Sequence, residues 1–381
     1  MSAPRLQALH DAGQSLWLDY IDRAMLSNGD LARRISKDAL TGMTSNPTIF
    51  EKALASGTAY DAQVAGLAGE RTAWQLFEEL AAEDVRTACD LFRGVYDRTQ
   101  GVDGYVSLEV SPNVANDTEG TIREARHLWK MVGRPNVMIK VPGTDAGCMA
   151  LRQLIADGIN VNVTLLFAVE SHARVIESYL SGLEARAAAG QPLAHVASVA
   201  SFFVSRVDSE IDKRLDALVA AGKLDAAAAG ALKGKAAVAN AKLAYTLFTE
   251  LFSGPRWTAL AAKGARVQRP LWASTSTKNP SYRDVIYVEE LAGPDTVNTL
   301  PPATLEAFRD HGETRRTVDA DLDGARRALA AVEAQGISMR NVTDQLLGEG
   351  LSSFQKAFDT LLAGLERKAA ALGRPIAAAA R

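Results

Sequence analysis

Cysteine is scarce in this sequence: Cys89 and Cys148 are the only two among 381 residues. They have neither the spacing of a disulfide framework nor that of a zinc site. We therefore expect no structural disulfide, and a reducing, cytoplasmic location fits best. The first residues also lack the apolar core of a secretory signal peptide, which agrees with that location.

Histidine and the common ligand-binding motifs are also missing or sparse. The five histidines form no H-x-x-x-H pair and no set with carboxylates, which argues against a zinc-dependent aldolase. The chain has no P-loop, and no G-x-G-x-x-G follows a predicted strand. We expect neither a metal nor an organic cofactor. His127 and His172, in predicted helices, are interpreted as ordinary surface or boundary residues.

No charge of one sign dominates, and no long hydrophobic run occurs. The net charge is -3 and the 23% of charged residues are spread evenly, so the basic face of a nucleic-acid-binding protein is not present. The longest uncharged apolar stretch, Leu193 to Val204, is too short to span a bilayer. We expect small-molecule partners, and neither nucleic acid nor a membrane.

Short strand patterns alternate with longer helical patterns along most of the chain. Eight strands, each followed by a helix, predict parallel pairing and an α/β fold of the (β/α)8 TIM barrel type, with a doubly wound open sheet as the alternative. The predicted strands are Ser15–Ile21, Gly42–Ile49, Tyr105–Val110, Val137–Val141, Asn160–Phe167, His195–Val204, Pro270–Ser276 and Thr296–Leu300.

Peripheral helices extend this barrel. We predict one barrel domain over residues 1–381, with helical additions at about 216–252 and 303–370. The alanine-rich residues 216–243 indicate an exposed helical pair. Near the end, apolar residues recur at spacings of three and four, which predicts an amphipathic helix that packs on its own barrel or on a second subunit. The protein is expected to be a monomer or a homodimer. The apolar residues are Leu347, Leu351, Phe354, Phe358, Leu361 and Leu365.

One lysine stands in an apolar strand. In V-M-I-K-V, Val137, Ile139 and Val141 share one face, and Lys140 lies on the other near the carboxyl end, where barrel active sites lie. Burial disfavours the charged amine, and a neutral amine is a nucleophile towards a carbonyl carbon. The alternative is that Lys140 reaches outward or pairs with a carboxylate.

Polar side chains accompany this lysine on other strands. In N-V-N-V-T-L-L-F, Asn160, Asn162 and Thr164 alternate with apolar residues. Each polar residue alone could be a strand cap, but four strands that carry them beside one buried lysine indicate the lining of a site for a hydroxylated ligand. The others are Ser107 and Glu109 in V-S-L-E-V, Asp19 in the first strand, and Asn46 before Pro47.

Two segments predict anion contacts. Arg206 lies near a helix start, where a cation opposes the helix dipole. A ligand phosphate would explain it, and an ion pair with Asp208 or Asp212 is the alternative. Ser276 and Lys278, in W-A-S-T-S-T-K-N-P, follow the seventh strand, where barrels often bind phosphate.

Five segments, in order, resemble the transaldolase family, and in particular its single-domain bacterial branch. The resemblance runs from about Asp19 to Lys278. It implies a (β/α)8 barrel with a Schiff-base lysine on the fourth strand, where Lys140 lies. It also implies transfer of a dihydroxyacetone unit between a ketose phosphate (sedoheptulose 7-phosphate or fructose 6-phosphate) and an aldose phosphate (glyceraldehyde 3-phosphate or erythrose 4-phosphate), as in the pentose phosphate pathway. The segments are T-S-N-P-T, I-K-V-P-G-T, N-V-N-V-T-L-L-F, S-F-F-V-S-R-V-D and W-A-S-T-S-T-K-N-P.

The same resemblance implies roles for the polar residues. Asp19 would exchange the proton of the carbon-4 hydroxyl, and Glu109 with Thr164 would position a catalytic water. Lys278 stands where much of the wider family has arginine, and it lacks the bidentate fork of that side chain. The remaining substrate-binding residues would be Asn46, Asn162 and Ser201 for the three-carbon unit, and Arg206, Ser276 and Lys278 for the phosphate.

Two other functions remain open from the sequence. A fructose-6-phosphate aldolase would use the same lysine but release free dihydroxyacetone; Glu109 argues against it, because aldolase-type relatives tend to carry a neutral side chain there. A non-catalytic sugar-phosphate binding barrel would keep Arg206 and Lys278. It would have no need of Lys140, Asp19 and Glu109 together.

Overall fold

Eight parallel strands form a closed barrel in a computed structural model of the chain, which describes residues 3–55 and 57–377. Each strand pairs with the next in sequence, and the eighth pairs with the first. The predicted (β/α)8 barrel is confirmed, and the open doubly wound sheet is excluded. The strands are β1 Gln14–Asp19, β2 Leu40–Thr44, β3 Val106–Glu109, β4 Val137–Pro142, β5 Val161–Leu166, β6 Ser198–Phe203, β7 Arg269–Ala273 and β8 Thr296–Leu300.

Helices surround the barrel and cover its carboxyl end. They are α1 Pro4–Asp11, α2 Arg23–Ser27, α3 Asp30–Lys37, α4 Pro47–Ala55, α5 Asp61–Leu67, α6 Ala73–Arg98, α7 Thr118–Val132, α8 Asp145–Asp157, α9 Val169–Ala188, α10 Ser205–Ala220, α11 Ala226–Leu232, α12 Ala236–Leu251, α13 Pro255–Ala261, α14 Ile286–Glu289, α15 Pro302–His311, α16 Leu322–Glu333 and α17 Met339–Ala371. None of the helices in the described ranges is long and apolar enough to cross a bilayer.

The second strand was predicted too long. The prediction ran from Gly42 to Ile49, whereas β2 ends at Thr44 and α4 begins at Pro47. Proline fits the first turn of a helix, because its missing N–H has no partner there in any case. Asn46 consequently lies in the turn between the strand and the helix, at the carboxyl end of the barrel.

The alanine-rich addition is only partly exposed, which corrects the predicted exposed pair. Helix α11 is mostly exposed, but α12 is buried along one face between α9 and α16. Alanine side chains allow the close approach of these helices. Asn240 of α12 is also buried, and its amide donates to the Phe167 carbonyl oxygen at 2.7 Å.

The C-terminal helix α17 is the predicted amphipathic helix, and it packs on the barrel of its own chain. It contacts α4, α6 and α10. Phe358 anchors it to α6, with its ring centroid 5.2 Å from that of Trp74. Helix α6 itself begins with a capping box, in which Thr72 and Gln75 exchange hydrogen bonds. Helix α17 therefore lies across the end of the barrel where strand-end residues converge.

Candidate active site

A cavity of about 310 Å³ lies at the carboxyl ends of the strands. Of the ten residues given catalytic or binding roles, eight line it, and Glu109 and Asn162 do not. Asn160 and Ser107, also expected in the lining, lie outside it: the Asn160 amide donates to the Pro135 and Val137 carbonyl oxygens, and Ser107 Oγ accepts from Asn162. The eight are Asp19, Asn46, Lys140, Thr164, Ser201, Arg206, Ser276 and Lys278. They come from six different strands or the turns that follow them, so the closed barrel is what brings them together.

Lys140 projects into the barrel from β4. Its side chain is 6% exposed, and its Nζ lies 3.3 Å from Glu109 Oε2 and donates to the Ser45 carbonyl oxygen at 3.2 Å. Glu109 is the partner of Lys140 in the β3–β4 register, which fixes this distance. The centroid of the Phe354 ring, from α17, lies 5.9 Å from Nζ. The buried amine thus has both a carboxylate and an aromatic ring near it.

Two carboxyl groups lie near this amine. Burial raises the pKa of both Asp19 and Glu109, and the charge of Lys140 partly opposes the rise. Asp19 also accepts a hydrogen bond from Thr44 Oγ1 at 2.8 Å. A carboxyl group whose pKa is raised towards the working pH is suited to accept and return a proton.

Strand β5 contributes two polar residues with different surroundings. Thr164 is buried, and its hydroxyl has no hydrogen-bond partner among the described residues. Asn162 is already engaged: its amide donates to Ser107 Oγ at 3.0 Å, and its Oδ1 accepts from Ser201 Oγ at 2.7 Å. The structure therefore leaves the Thr164 hydroxyl available to a ligand or water, and places Asn162 beneath the cavity as the support of Ser201.

Two cations stand together at the β6–β7 side of the cavity. Desolvation and the nearby charge of Arg206 lower the pKa of Lys278, and burial lowers that of Arg206. Lys278 Nζ donates to Ser276 Oγ at 2.7 Å. No carboxylate in residues 3–55 and 57–377 lies within ion-pair distance of Arg206, although the charge of Glu349 acts on it from farther away. Two adjacent cations that form no ion pair with these residues are suited to contact an anion.

The alternative ion pair for Arg206 is not formed. Asp208 accepts the Ala237 backbone N–H at 2.8 Å and the Tyr287 hydroxyl at 2.9 Å. Asp212 accepts the Tyr282 hydroxyl and the Gly234 N–H. Both carboxylates therefore serve to hold α10 against neighbouring segments.

Sequence reasoning missed several cavity residues. Lys52 of α4 and Ser353 of α17 line the cavity, as does Phe354. Phe354 was recognised only as part of an amphipathic stripe, because its position over the barrel depends on where a distant helix docks. Lys52 is an exposed lysine in a helix, and nothing in its neighbouring sequence distinguishes it from a solvated surface residue.

The closed barrel, with a buried lysine between carboxyl groups and a cation pair at the strand ends, defines the class as a (β/α)8-barrel enzyme. A family model described as transaldolase/fructose-6-phosphate aldolase matches residues 16–365. The chain belongs to this family, and it is an enzyme of the transaldolase type.

Relatives of similar length support this assignment. The chain is 46% identical over 374 residues to transaldolase 2 of Nostoc sp., covering 97% of this chain and 98% of that protein. It is 50% identical over 373 residues to the transaldolase of Thermobifida fusca, covering 97% and 100%. It is 51% identical over 359 residues to transaldolase 1 of Streptomyces avermitilis, covering 94% and 93%.

Proposed function

We propose that the protein transfers a dihydroxyacetone unit from fructose 6-phosphate or sedoheptulose 7-phosphate to an aldose phosphate, through a Schiff base on Lys140. The observation that carries the proposal is the enclosed Lys140 amine, 3.3 Å from the Glu109 carboxylate, in a cavity that also contains Asp19 and the Arg206–Lys278 pair. The nucleophile, the proton carrier Asp19 and the proposed anion site thus share one cavity, and Glu109 lies beside the nucleophile.

The first half of the reaction forms and uses the Schiff base. Lys140 Nζ attacks the ketone carbon, and loss of water gives an iminium, which accepts electrons from the adjacent bond. Glu109, beside Nζ, and the unpaired Thr164 hydroxyl hold a water molecule by hydrogen bonds, and this water transfers the protons of the step. Asp19 then takes the carbon-4 hydroxyl proton, the bond between carbons 3 and 4 breaks, and the aldose phosphate leaves.

The second half returns the three-carbon unit to an acceptor. Carbon 3 of the enamine on Lys140 attacks the aldehyde carbon of the new aldose phosphate, and Asp19 returns its proton to the aldehyde oxygen. Water then hydrolyses the resulting iminium, which releases the new ketose phosphate and the free amine of Lys140. The enamine must meanwhile stay unprotonated, which requires a shielded site. Phe354 and Ser353 of α17 provide the cover above Lys140.

The phosphate of either sugar binds between Arg206 and Lys278, with Ser276 beside them. Arginine and lysine both form charge-assisted hydrogen bonds to phosphate, although only arginine does so with a bidentate fork. Asn46 and Ser201, which line the cavity deeper in the barrel, bind the hydroxyl groups of the three-carbon unit. This arrangement sets the sugar along the cavity with carbon 2 at Lys140.

A coupled assay tests the proposal. Release of glyceraldehyde 3-phosphate from fructose 6-phosphate is followed through NADH oxidation, with and without erythrose 4-phosphate. Release that requires the acceptor is the expected result. Equal release without the acceptor would identify a fructose-6-phosphate aldolase. No release in either case would contradict the proposed donor and favour a binding protein or another substrate.

We also propose a cytoplasmic location and a monomeric or dimeric state. Both cysteines are buried and unpaired, as suits a reducing compartment. Because α17 covers its own barrel, the cavity is enclosed by one chain. Cell fractionation tests the location, and light scattering coupled to size-exclusion chromatography tests the state. Secretion, or an assembly larger than a dimer, would contradict these proposals.

A further inference from the structure

Strand β5 has an irregularity beside the cavity. Leu165 is buried and has a φ of 62°, in the left-handed region that residues other than glycine seldom adopt. The pairing with β6 shifts at the same place: Val163 lies opposite Ala200, and Leu166 lies opposite Phe202. One extra residue is therefore accommodated in β5. This is a β-bulge, a feature that re-aims side chains and often occurs next to active sites.

The bulge affects two side chains. Thr164, directly before it, turns an unpaired hydroxyl into the cavity. Leu165, which regular alternation would direct outwards to the barrel helices, instead reaches Gly350 of α17. The bulge is thus the contact between the strand that carries Thr164 and the helix that covers Lys140.

Gly350 leaves the space that this contact needs. A methyl group on it would lie 2.9 Å from Leu165 Cδ2 and 3.8 Å from Arg206 Nη1. Glycine weakens the interior of a helix, so its presence in α17 calls for a packing reason, and the close approach of Leu165 supplies one. Phe354 follows four residues later and so lies on the same face of α17. Its ring is 5.9 Å from Lys140 Nζ.

We propose that Leu165 and Gly350 are positioning residues. Leu165 of the β5 bulge occupies the space left by Gly350. This contact fixes the distance between α17 and the end of the barrel, so that Phe354 shields the Lys140 enamine. The inference rests on the proposed transfer reaction. When the shield is displaced, water protonates carbon 3 of the enamine, and hydrolysis of the resulting iminium releases free dihydroxyacetone and the Lys140 amine. The three-carbon unit is then released as free dihydroxyacetone instead of being transferred to the acceptor.

The variant Gly350→Ala tests this, with Gly348→Ala as its control. Gly348 lies on the same helix, is exposed, and would have no atom within 4 Å of an added methyl group. The readout is the ratio of sedoheptulose 7-phosphate formed to dihydroxyacetone released, from fructose 6-phosphate and erythrose 4-phosphate. We expect Gly350→Ala to lower this ratio about fivefold or more, because small displacements in active sites have large effects. Gly348→Ala should leave it unchanged.

A second variant tests whether the contact is the cause. Leu165→Ala removes the side chain that the methyl group added by Gly350→Ala would meet. The double variant Leu165→Ala/Gly350→Ala should therefore differ from Leu165→Ala by less than about twofold in the ratio of transfer to release. Leu165→Ala alone should also lower the ratio, which provides a result even if Gly350→Ala does not fold. A wild-type ratio in both single variants, or an equal loss in Gly348→Ala, would overturn the inference. Acceptor-independent release by the wild-type enzyme would instead refute the proposed function.

Discussion

At the scale of single residues, the chemistry depends on what each polar side chain lacks in the folded protein. Thr164 lacks a hydrogen-bond partner among the described residues, Arg206 forms no ion pair with them, and Lys140 is enclosed with little access to solvent. Such unsatisfied groups cost stability. They are the groups that a sugar phosphate would satisfy.

Asp19→Asn should separate carbon–carbon cleavage from Schiff-base formation. Without a proton acceptor for the carbon-4 hydroxyl, kcat with fructose 6-phosphate should fall by about 10²- to 10⁴-fold. Dihydroxyacetone needs no cleavage, so borohydride should still trap it on the variant. Equal loss of trapping would show that Asp19 acts before the cleavage step.

The pH dependence of kcat follows from the same residue. In the proposed reaction Asp19 must be ionised to accept the proton, and burial raises its pKa. Activity should therefore be lost, as pH falls, at a higher pH than for an ordinary aspartate. The residual activity of Asp19→Asn should not show this loss at low pH. If the loss at low pH is unchanged in the variant, another group, such as Glu109, is its cause.

Lys278→Gln should weaken binding of the phosphate. Loss of a charged hydrogen-bond donor costs about 1.5–3 kcal/mol, so kcat/KM for fructose 6-phosphate should fall by roughly 10- to 100-fold. The value for unphosphorylated fructose should be nearly unchanged, as should both values in Lys356→Gln, an exposed lysine on α17. A similar loss for fructose would show that Lys278 does not act through the phosphate.

At the scale of elements, periodicity predicted what lies within one strand or helix, and it failed where distant segments meet. All eight strands and the inward direction of Lys140 were predictable, because alternation is a local property. The burial of α12 was not, since alanine tolerates both a buried and an exposed face. The proposed seating of α17 over Lys140 involves a bulge and a glycine far apart in sequence, which no local pattern connects.

His172 of α9 was interpreted as a surface or boundary residue, and this was wrong. It is fully buried, with its ring centroid 6.0 Å from that of Phe202, and burial lowers its pKa from 6.5 to about 4. The apolar residues of α9 give its sequence a helical pattern, but this pattern does not show that His172 belongs to the buried face.

His172 should make the fold sensitive to acid. Below pH 6.5 the unfolded chain binds a proton on His172 that the folded protein does not bind until about pH 4. Stability should therefore fall as pH falls through this window, by up to about 3 kcal/mol. In urea titrations, His172→Gln should lose this part of the pH dependence. The exposed His195→Gln should retain it, and an unchanged slope in His172→Gln would contradict the account.

At the scale of the whole molecule, the two ends of the barrel have different tasks. The carboxyl end contains the cavity. The amino end is closed by a buried network in which Asp103 accepts hydrogen bonds from Trp17 Nε1 at 2.7 Å and from Ser15, and lies 3.5 Å from Arg269 Nη2. Residues at this end of a barrel contribute to stability and not to chemistry.

Asp103→Ala should consequently destabilise the fold without altering substrate binding. It leaves the buried Arg269 without its carboxylate, a change that typically costs about 3–5 kcal/mol. Asp97→Ala breaks only the exposed pair with Arg93, so it should cost less than about 1 kcal/mol. Urea unfolding and KM for fructose 6-phosphate measure the two effects. A raised KM in Asp103→Ala would show that the ends are not independent.

The central claim is that Lys140 carries the three-carbon unit. The measurement that tests it most directly is borohydride reduction in the presence of fructose 6-phosphate, followed by peptide mass spectrometry of the wild-type protein and of Lys140→Arg. We predict a reduced three-carbon adduct on Lys140 in the wild type. The variant should unfold at the wild-type temperature but show neither adduct nor activity. An adduct on another lysine, or substantial activity in Lys140→Arg, would contradict the account.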